Sequence, residues 1–302
     1  MPLSPEYISS YRRTYLAELD FPALSTHTLQ KIYRYGAPVG TYLEHHSRLD
    51  RCMCRLQELI LEAEDRGETL AAGTVVVADS LNHSTGRFDR RWHAPAGGAW
   101  LAIVWPDILL PEFTRLLPFA VGLAGCRTLN SYRLDARLKW VNDILLGPQK
   151  IGGILCQTFL SSRGERFHLL GIGINVNNFV FPAELDQFSA SLAGALGSPV
   201  DLEEFIARFL AELTLALGLL HHDEAQYMHS LQDEVEKRPG ILLDTWKHLC
   251  DSVGKQVEFG YDVQKKPLYR ARVTGYDHSG GLVMELPDGR RTVEVSGEIR
   301  YL

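Results

Sequence analysis

The sequence predicts an α+β protein that ends in a small β-barrel, and two changes of pattern along the chain support this prediction. In the first 240 residues, β-branched runs of strand length are mixed with segments whose apolar residues recur at helical spacing. From Val253 onward only short strand-like segments remain, separated by turn residues, which is typical of a small barrel. We therefore expect an N-terminal extension at 1–38, a main domain at 39–240 and a C-terminal β domain at 241–302.

Within the main domain, each element is predicted from the periodicity of its apolar residues and from the residues that mark its ends. A helix is expected over 50–64, another over 111–129 with Pro118 as an irregularity, and a third that starts at Asp201. Glu204 completes a capping-box-like pair with Asp201, and a further helical region follows through Leu231 and Trp246. The predicted strands lie at 41–44, 73–78, 99–105, 137–140, 143–146, 150–160 and 168–175.

The C-terminal domain is predicted from four short strands with turn residues between them. These strands lie at 255–259, 269–273, 282–286 and 291–295. Asp288-Gly289 is a dipeptide typical of a hairpin turn.

Charge and composition exclude several classes of protein. The 302 residues carry a formal net charge of -6, and the basic residues are interspersed with acids, so a protein built mainly to hold nucleic acid is not expected. The N-terminal residues lack the order of a signal peptide, and no apolar run approaches the roughly 20 residues of a membrane span. Five scattered cysteines are typical of reduced thiols, so we expect a cytoplasmic location without nucleic-acid or membrane partners.

The usual catalytic motifs are missing from the sequence. It contains no Gly-x-Ser-x-Gly nucleophile elbow, no His-Glu-x-x-His zinc helix and no phosphate-binding loop of the Walker A type. The stretch Gly171-Ile-Gly173 lacks the third glycine of a dinucleotide fingerprint. Taken alone, it indicates either a tight strand end or a close approach to a ligand.

Instead, polar groups suited to anions lie at several predicted strand ends. The segment Gly86-Arg87-Phe88-Asp89-Arg90-Arg91-Trp92 joins three guanidinium groups to a glycine, which suits either a phosphate-binding loop or a solvated basic loop. Lys139 and Asp143 are expected on one face of a strand, with Trp140 and Asn142 on the other. Lys139 then meets a carboxylate or phosphate, or else forms a surface pair with Asp143.

Two further features complete the site that the residues predict. Asn142 or Asp143 could meet a hydrated Mg²⁺ on a nucleotide. Gly152-Gly153 removes side chains from an apolar strand where a ligand or another backbone must approach. The residues therefore predict a site for a nucleotide and an acidic small molecule.

At these motifs the chain resembles the biotin–protein ligases, over roughly residues 40–302. The resemblance is carried in order by Gly73-Thr-Val-Val-Val-Ala-Asp-Ser80, Lys139-Trp-Val-Asn-Asp143, Lys150-Ile-Gly-Gly-Ile-Leu155, Gly171-Ile-Gly-Ile-Asn-Val-Asn177 and Gly297-Glu298-Ile299. It implies a mixed sheet with packed helices of the class II aminoacyl-tRNA-synthetase/biotin-ligase-like type, followed by an SH3-like β-barrel. Residues 1–38 lack the winged helix of repressor-type ligases, so a form without the DNA-binding domain is expected.

The resemblance implies a two-step reaction and a set of roles. Biotin and ATP with Mg²⁺ give biotinyl-5′-AMP, and a lysine of a biotin carboxyl carrier protein then takes the acyl group; a homodimer is possible. The implied catalytic residues are Lys139, Arg87 and Arg90. The implied biotin-binding residues are Ser47, Arg48, Thr85, Gly86, Arg87, Trp92, Lys139, Gly152 and Gly153. The implied nucleotide-binding residues are Arg87, Arg90, Asn142, Asp143 and Asn175, and Mg²⁺ is expected to be held through the ATP phosphates, with no firm protein site.

The chain departs from the family pattern where biotin's ring is usually bound. Leu81 replaces a glutamine, Ser84-Thr85 replaces Gly-Arg, and Ser47-Arg48-Leu49 stands in place of Ser-Thr-Asn. Adenylation is therefore better supported than the identity of the acyl group. Two alternatives stay open: a ligase for another carboxylic acid such as lipoate or octanoate, and a catalytically degenerate sensor of biotin or its adenylate.

Overall fold

A computed structural model of the chain describes residues 2–18, 24–232 and 240–302. In these residues a seven-stranded mixed sheet with packed helices is followed by a five-stranded antiparallel sheet. The predicted fold class is confirmed. The domain boundaries at 38 and 240 stay a prediction, and the predicted helical region between Leu231 and Trp246 includes 233–239, which lie outside the described residues.

The main sheet has the order β1-β2-β3-β7-β6-β5-β4. Only the β1–β2 pair is parallel among the pairs of this sheet in the described residues, and the rest are antiparallel. Its strands are β1 Leu43–His46, β2 Val75–Ala78, β3 Ala99–Pro106, β4 Ala136–Lys139, β5 Asp143–Leu146, β6 Gln149–Leu160 and β7 Arg166–Ile174.

Helices cover both faces of this sheet, and the alternation of side chains along β2 shows how. Val75 and Val77 belong to the large core that contains α5 and α8, whereas Val76 and Ala78 face a smaller core under α3. Burial on both faces explains why these strands are almost wholly apolar. The helices are α1 Pro5–Glu18, α2 Thr26–Gly36, α3 Cys52–Asp65, α4 Pro111–Thr114, α5 Leu117–Asn130, α6 Ala183–Asp186, α7 Leu192–Leu196, α8 Leu202–Gln232 and α9 Ile241–Leu249.

Helix α8 is the central helix of the large core. Asp201 caps it as predicted, because its Oδ1 accepts hydrogen bonds from the backbone amides of Glu203 and Glu204. By length and composition the segment Leu202–Ser230 could cross a membrane, contrary to the expectation that no apolar run approaches that length. Since 83% of its apolar window is buried inside the protein, this helix has the position of a core helix.

The residues predicted as an extension form α1 and α2, which pack against α8. At Gly36 and Gly218 the two backbones come so close that an added Cβ would lie 1.8 Å from the Thr214 carbonyl oxygen or 2.1 Å from that of Ile32. Both glycines are therefore required by the packing of α2 on α8.

Three predicted elements differ in detail from the structure. The first strand begins at Leu43 rather than at residue 41, and the helix expected over 111–129 is two helices, α4 and α5, with the break just before Pro118. Proline lacks the amide hydrogen that a continuous helix would need at that point. The segment expected to run as strand through Trp140 instead turns at residues 140–142.

The second sheet has the order β11-β10-β9-β8-β12. Its strands are β8 Gln256–Gly260, β9 Tyr269–Tyr276, β10 Leu282–Glu285, β11 Arg291–Glu294 and β12 Glu298–Tyr301. The last strand was not predicted, and it pairs with β8. Trp140 of the main domain is buried against this sheet, where its indole N–H donates to the Gly280 carbonyl at 3.1 Å.

Candidate functional site

A cavity of about 670 Å³ lies where the main sheet, the loop at 84–92 and the second sheet meet. Its wall includes the glycine-containing parts of β6 and β7, the β4–β5 turn and the start of β12. Of the residues predicted for the site, the cavity is lined by Thr85, Gly86, Arg87, Arg90, Trp92, Lys139, Asn142, Asp143, Gly153 and Asn175.

The loop at 84–92 is a short hairpin whose tip carries the arginines. Thr85 pairs with Arg91, and the Gly86 amide donates to the Arg90 carbonyl at 2.8 Å. Phe88 at the tip has a φ of 57°, in the left-handed region, and the guanidinium groups of Arg87 and Arg90 lie over its ring. Gly86 itself has a φ of -92°, which other residues adopt readily.

Trp92 lies on a pair of glycines that face each other across β6 and β7. Gly153 pairs with Gly173, and a Cβ on Gly173 would lie 2.9 Å from the Trp92 indole nitrogen. A Cβ on Gly153 would meet the same ring at 3.5 Å. The Trp92 indole N–H is buried and has no hydrogen-bond partner among the residues described, so a donor stands free at the cavity wall.

Lys139 and Asp143 are cross-strand partners at the turn between β4 and β5. Because directly paired residues share a face, both side chains reach the cavity, and Lys139 Nζ lies 3.4 Å from Asp143 Oδ2. The expectation that Lys139 and Asp143 share a face by alternation along one strand was wrong in its reason, since 140–142 is a turn that contains a cis Trp140–Val141 peptide bond.

A second lysine contacts the same carboxylate. Lys150 Nζ lies 2.5 Å from Asp143 Oδ1 and 5.1 Å from the centre of the Trp92 ring. Burial would raise the pKa of Asp143, but the ammonium groups of Lys150 and Lys139 outweigh it and lower that pKa to about 2. The carboxylate is therefore ionised throughout the neutral range.

Arg87 and Arg90 join the loop at 84–92 to the second sheet. Arg87 Nη1 donates to the Gly297 carbonyl at 2.7 Å and to Asn142 Oδ1 at 3.4 Å. Arg90 binds both carboxylate oxygens of Glu298, at 2.9 and 2.7 Å, and also contacts Asp262. We call Arg90, Asp262 and Glu298 the Arg90 cluster; it holds the loop over the cavity in the structure.

Asn142 and Asn175 hold backbone next to the cavity. The side-chain amide of Asn142 donates to the Ile154 carbonyl at 2.9 Å. In return, the backbone amide of Ile154 donates to the backbone carbonyl of Asn142, also at 2.9 Å. Asn175 is buried and donates to the Ala190 carbonyl at 3.0 Å. Through these hydrogen bonds both asparagines hold backbone segments of the cavity wall in place.

Three predicted biotin-binding residues lie outside the cavity lining. Ser47 and Arg48 are exposed, because the Leu49 amide donates to the Ser80 carbonyl and Ser80 Oγ donates to the Ser47 carbonyl, which keeps this segment at the surface. Gly152 faces the helix layer, with Ile144 and Ile174 as the side-chain neighbours of an added Cβ. Adjacent strand residues point to opposite faces, so of Gly152 and Gly153 only Gly153 faces the cavity.

The wall near the start of α3 is largely apolar. It is formed in part by Met53, Leu81 and Leu155, and Met53 approaches so closely that a Cβ on Gly171 would lie 2.7 Å from its sulfur. Arg51, Ser84 and His93 also line the cavity. This side of the cavity suits an apolar group with few hydrogen-bonding atoms.

The side-chain oxygens of Asp143, Glu298 and Asn142 are all engaged by cationic groups in this structure. Both oxygens of Asp143 contact lysines, both oxygens of Glu298 contact Arg90, and the side-chain oxygen of Asn142 accepts from Arg87. A divalent cation prefers free carboxylate or carbonyl oxygens. In the described part of the chain, no group of three or more His, Cys, Asp or Glu side chains could hold a metal ion.

Sequence reasoning assigned no role to Lys150, Glu298 or Asp262, although two of them lie in motifs that it singled out. Lys150 is the second residue of β6, the strand that contains Gly152 and Gly153, and Glu298 is the first residue of β12. A charged residue at the start of a glycine-interrupted strand was the available indication for Lys150. No pattern in the sequence indicates that Asp262 meets an arginine 172 residues earlier in the chain.

Comparison with known proteins bears on what this cavity does. Residues 52–177 match the model of the biotin/lipoate A/B protein ligase family. The chain is 30% identical over 164 residues to the biotin–[acetyl-CoA-carboxylase] ligase of Paracoccus denitrificans, over 51% of this chain and 67% of that protein. The chain belongs to the biotin/lipoate A/B protein ligase family. The matched stretch of this family member includes the loop at 84–92, both lysines and the glycines of β6 and β7.

Two further proteins are similar to this chain, one over a shorter part of its own length and one at lower sequence identity. The chain is 34% identical over 179 residues to the bifunctional ligase/repressor BirA of Bacillus subtilis, over 57% of this chain and 52% of that protein, so the match spans about half of the relative's length. The solved biotin protein ligase from Aquifex aeolicus in complex with biotin and ATP is similar with a TM-score of 0.67 and 21% identity, over 86% of this chain and 98% of that one. This likeness shows a shared fold.

Proposed function

We propose that this protein attaches biotin to a lysine of a carrier domain, with ATP as the energy source and biotinyl-5′-AMP as the intermediate. The observation that carries the proposal is the cluster of Lys139, Lys150 and Arg87 around one cavity of about 670 Å³. With Arg90 they make four cationic side chains, and their carboxylate partners are Asp143, Glu298 and Asp262, which leaves an excess of positive charge for anionic ligands.

The proposed chemistry needs positioning and charge stabilisation more than a protein nucleophile. The carboxylate of biotin attacks the α-phosphate of ATP, so that a mixed anhydride forms and pyrophosphate leaves. An ε-amino group of the acceptor then attacks the acyl carbon, AMP leaves, and an amide forms. Lys139 would hold first the carboxylate and then the phosphate, and Arg87 would steady the phosphates.

The partners follow from this chemistry. The second substrate is a carrier protein or domain whose lysine reaches the cavity, and Mg²⁺ would arrive with the ATP phosphates. The relatives' names, which include acetyl-CoA-carboxylase ligase, support an acceptor of this kind. A cytoplasmic location remains part of the proposal.

One specific observation supports a second candidate, a ligase for a less polar acid such as lipoate or octanoate. The wall near α3 presents Met53, Leu81 and Leu155, and the Ser47-Arg48 segment lies outside the cavity. Fewer hydrogen-bonding groups there would favour an acid without biotin's ureido ring. Biotin remains the first candidate because the relative from Paracoccus denitrificans is named a biotin–[acetyl-CoA-carboxylase] ligase.

The test is acyl transfer from the protein, ATP and one acid at a time to a carrier domain, followed as the mass increase of the carrier. We expect the mass of one biotinyl group with biotin, and a carrier with its acceptor lysine replaced by arginine is the control. Transfer of lipoate or octanoate without biotin would select the second candidate. Binding of biotin and ATP without any transfer would indicate a sensor.

A further inference from the structure

Tyr301, the last residue of β12, has its aromatic ring close to two ammonium groups. Lys139 Nζ lies 5.6 Å from the centre of the ring, and Lys255 Nζ lies 4.6 Å from it. A cation over an aromatic face within about 6 Å of its centre is attracted by the electrons of the ring. Lys255 is paired with Asp251 at 2.6 Å and does not line the cavity, whereas Lys139 does. The ring therefore connects the second sheet to an ammonium group of the cavity.

The position of this ring is fixed by a hydroxyl group that also holds the backbone next to Lys139. Ser252 is buried, and its Oγ lies 2.9 Å from the hydroxyl oxygen of Tyr301. The same Oγ accepts a hydrogen bond from the backbone amide of Trp140 at 3.3 Å. Tyr301 is also paired with Val257 where β12 meets β8. The end of β12 is therefore held in a defined place relative to the end of β4, where Lys139 lies.

We propose that Tyr301 is a positioning residue, whose ring holds the ammonium group of Lys139 at the place in the cavity where an anion binds. The proposal deepens the function proposed above and rests on it for the identity of that anion, a carboxylate and then a phosphate. Tyr301 is not among the described residues that line the cavity, so it acts through Lys139 and not on the ligand. The second sheet thereby takes part in the adenylation step.

The ring matters because the contact of Lys139 with Asp143 is long. Asp143 Oδ2 lies 3.4 Å from Lys139 Nζ, beyond the roughly 2.7–2.9 Å of a charge-assisted hydrogen bond. The ring adds attraction without adding a negative charge, since burial raises the pKa of Tyr301 and the phenol stays protonated at neutral pH. A second carboxylate in its place would repel an incoming phosphate. An aromatic ring therefore fixes the cation and leaves its charge to the ligand.

Two variants of Tyr301 separate its ring from its hydroxyl group. In Tyr301→Leu the ring is lost, and we expect kcat for biotin-dependent pyrophosphate release to fall about tenfold, because the cation is no longer fixed in the transition state. The KM for ATP should change by less than about threefold, since the charge of Lys139 is still present. In Tyr301→Phe the ring remains, and kcat should stay within about threefold of the unchanged protein. Release by Tyr301→Leu within about twofold of the unchanged protein would overturn the proposal.

A double variant tests whether Tyr301 acts through Lys139. Lys139→Met lacks the ammonium group, so a ring that only positions this group has nothing left to hold. Adding Tyr301→Leu to Lys139→Met should therefore change the residual pyrophosphate release by less than about twofold. An equal loss in both backgrounds would overturn the proposal, because Tyr301 would then support the fold or contact the ligand itself.

Tyr269→Leu is the matched control for the loss of a tyrosine from the second sheet. The hydroxyl group of Tyr269 donates to Glu294 at 2.7 Å, its ring is stacked on that of Phe259, and it does not line the cavity. We expect this variant to be less stable than the unchanged protein but to keep kcat within about twofold. Thermal unfolding of every variant checks that it is folded. A fall in kcat as large as that of Tyr301→Leu would overturn the proposal, because loss of packing in the sheet would then explain both.

Nuclear magnetic resonance of ¹³C-methylated lysines reports the contact without any reaction. The methyl signals of Lys139, identified by their absence in Lys139→Arg, should be displaced upfield by the ring current of Tyr301. The displacement should remain in Tyr301→Phe and disappear in Tyr301→Leu. Lys139 signals that are the same in Tyr301→Leu as in the unchanged protein would overturn the proposal. If the unchanged protein binds ATP but releases no pyrophosphate with any acid, the proposed function fails, while these signals still decide whether Tyr301 holds Lys139.

Discussion

Lys139, the cation proposed to hold the substrate, lies at a strand end. It is the last residue of β4, its partner Asp143 is the first residue of β5, and its ammonium also lies 5.6 Å from the centre of the Tyr301 ring. These contacts hold a long, flexible side chain in one place at the cavity wall. Its charge is therefore fixed before a ligand arrives, which would reduce the reorganisation that the proposed reaction requires.

Replacing Lys139 by alanine should abolish adenylate formation while the protein stays folded. We expect biotin-dependent pyrophosphate release to fall by about a hundredfold or more, since a preorganised cation is lost from the reacting phosphate. Lys255→Ala, a nearby lysine outside the cavity lining, should release pyrophosphate normally. Near-normal release by Lys139→Ala would remove the central assignment.

His221 is a partly buried titratable residue away from the cavity, and it should make stability depend on pH. Its Nε2 accepts a hydrogen bond from the Trp105 indole at 3.2 Å, and burial lowers the pKa of His221. The carboxylate of Glu224 lies 3.9 Å from Nδ1 of His221, but the pKa of His221 still lies below its ordinary value. The folded protein therefore binds a proton less readily than the unfolded chain, so the stabilisation is complete above the ordinary pKa of about 6.5 and is lost as the pH falls below it.

The measurement is the free energy of unfolding of the unchanged protein and of His221→Asn between pH 5.5 and 7.5. We expect the unchanged protein to lose up to about 1.4 kcal/mol per pH unit more than the variant below pH 6.5. Equal slopes for the two proteins would show that His221 is not responsible.

At the residue scale, the sequence located the cationic groups and one partner, Asp143 for Lys139, but not the partners of Arg87, Arg90 and Lys150. Arg87, Arg90 and Lys139 were predicted from their residue types next to glycines and strand ends. Lys150 lay in a recognised motif without a role, because its contact with Asp143 depends on the pairing of β5 with β6. Ser47 and Arg48 were placed at the ligand by alignment with a motif, whereas backbone hydrogen bonds keep them at the surface.

At the scale of elements, the glycines of β6 and β7 create the space in which Trp92 lies. Gly153 and Gly173 are cross-strand partners, so neither has a side chain where the indole rests. Strands β6 and β7 thereby form a wall of the cavity without side chains at these two positions, and the loop at 84–92 packs against that wall.

Gly173→Ala should displace Trp92, because the new methyl group would lie 2.9 Å from the indole nitrogen. We expect at least a tenfold fall in biotin-dependent pyrophosphate release, with a destabilisation of about 1–3 kcal/mol from overpacking. Gly275→Ala is the matched control, since it lies in a strand of the second sheet with nothing within 4 Å of an added Cβ. Identical behaviour of the two variants would contradict the role given to Gly173.

Most elements could be predicted because their patterns are local. The apolar positions of α3 and the alternating burial of the C-terminal strands follow directly from periodicity. The β4–β5 turn was missed because Lys139 to Asp143 contains no glycine or proline to mark it. The start of α5 differed because Pro118 fits the first turn of a helix better than its interior.

At the scale of the whole molecule, the Arg90 cluster joins two sheets that lie far apart in sequence. Arg90 is 28% exposed, Asp262 19% and Glu298 14%, so the three charges are partly shielded from water. The cluster holds the loop at 84–92 against the second sheet and closes the cavity on that side.

A double-mutant cycle on Arg90→Ala and Glu298→Ala should reveal this coupling. We expect a coupling free energy of about 0.5–3 kcal/mol in unfolding, because a bidentate, partly shielded ion pair is lost in either single variant. The exposed pair of Arg290 and Asp288, at 2.7 Å, is the control and should give about 0–1 kcal/mol. Additive effects for Arg90 and Glu298 would show that the cluster does not couple the sheets.

The presence of both sheets could be predicted, but their docking could not. The change of pattern near Val253 indicates a separate β region, whereas the contacts of Trp140 with Gly280 and of Arg90 with Glu298 depend on three-dimensional placement. The cavity is lined by both regions, so the part of its wall that the second sheet forms could not be predicted from the sequence.

The most direct test of the proposed function is exchange of labelled pyrophosphate into ATP, which reports the adenylation step without any acceptor. We expect exchange that depends on biotin, is far weaker with lipoate or octanoate, and disappears in Lys139→Ala. Absence of biotin-dependent exchange in a folded protein that binds ATP, or exchange with lipoate or octanoate alone, would contradict the account.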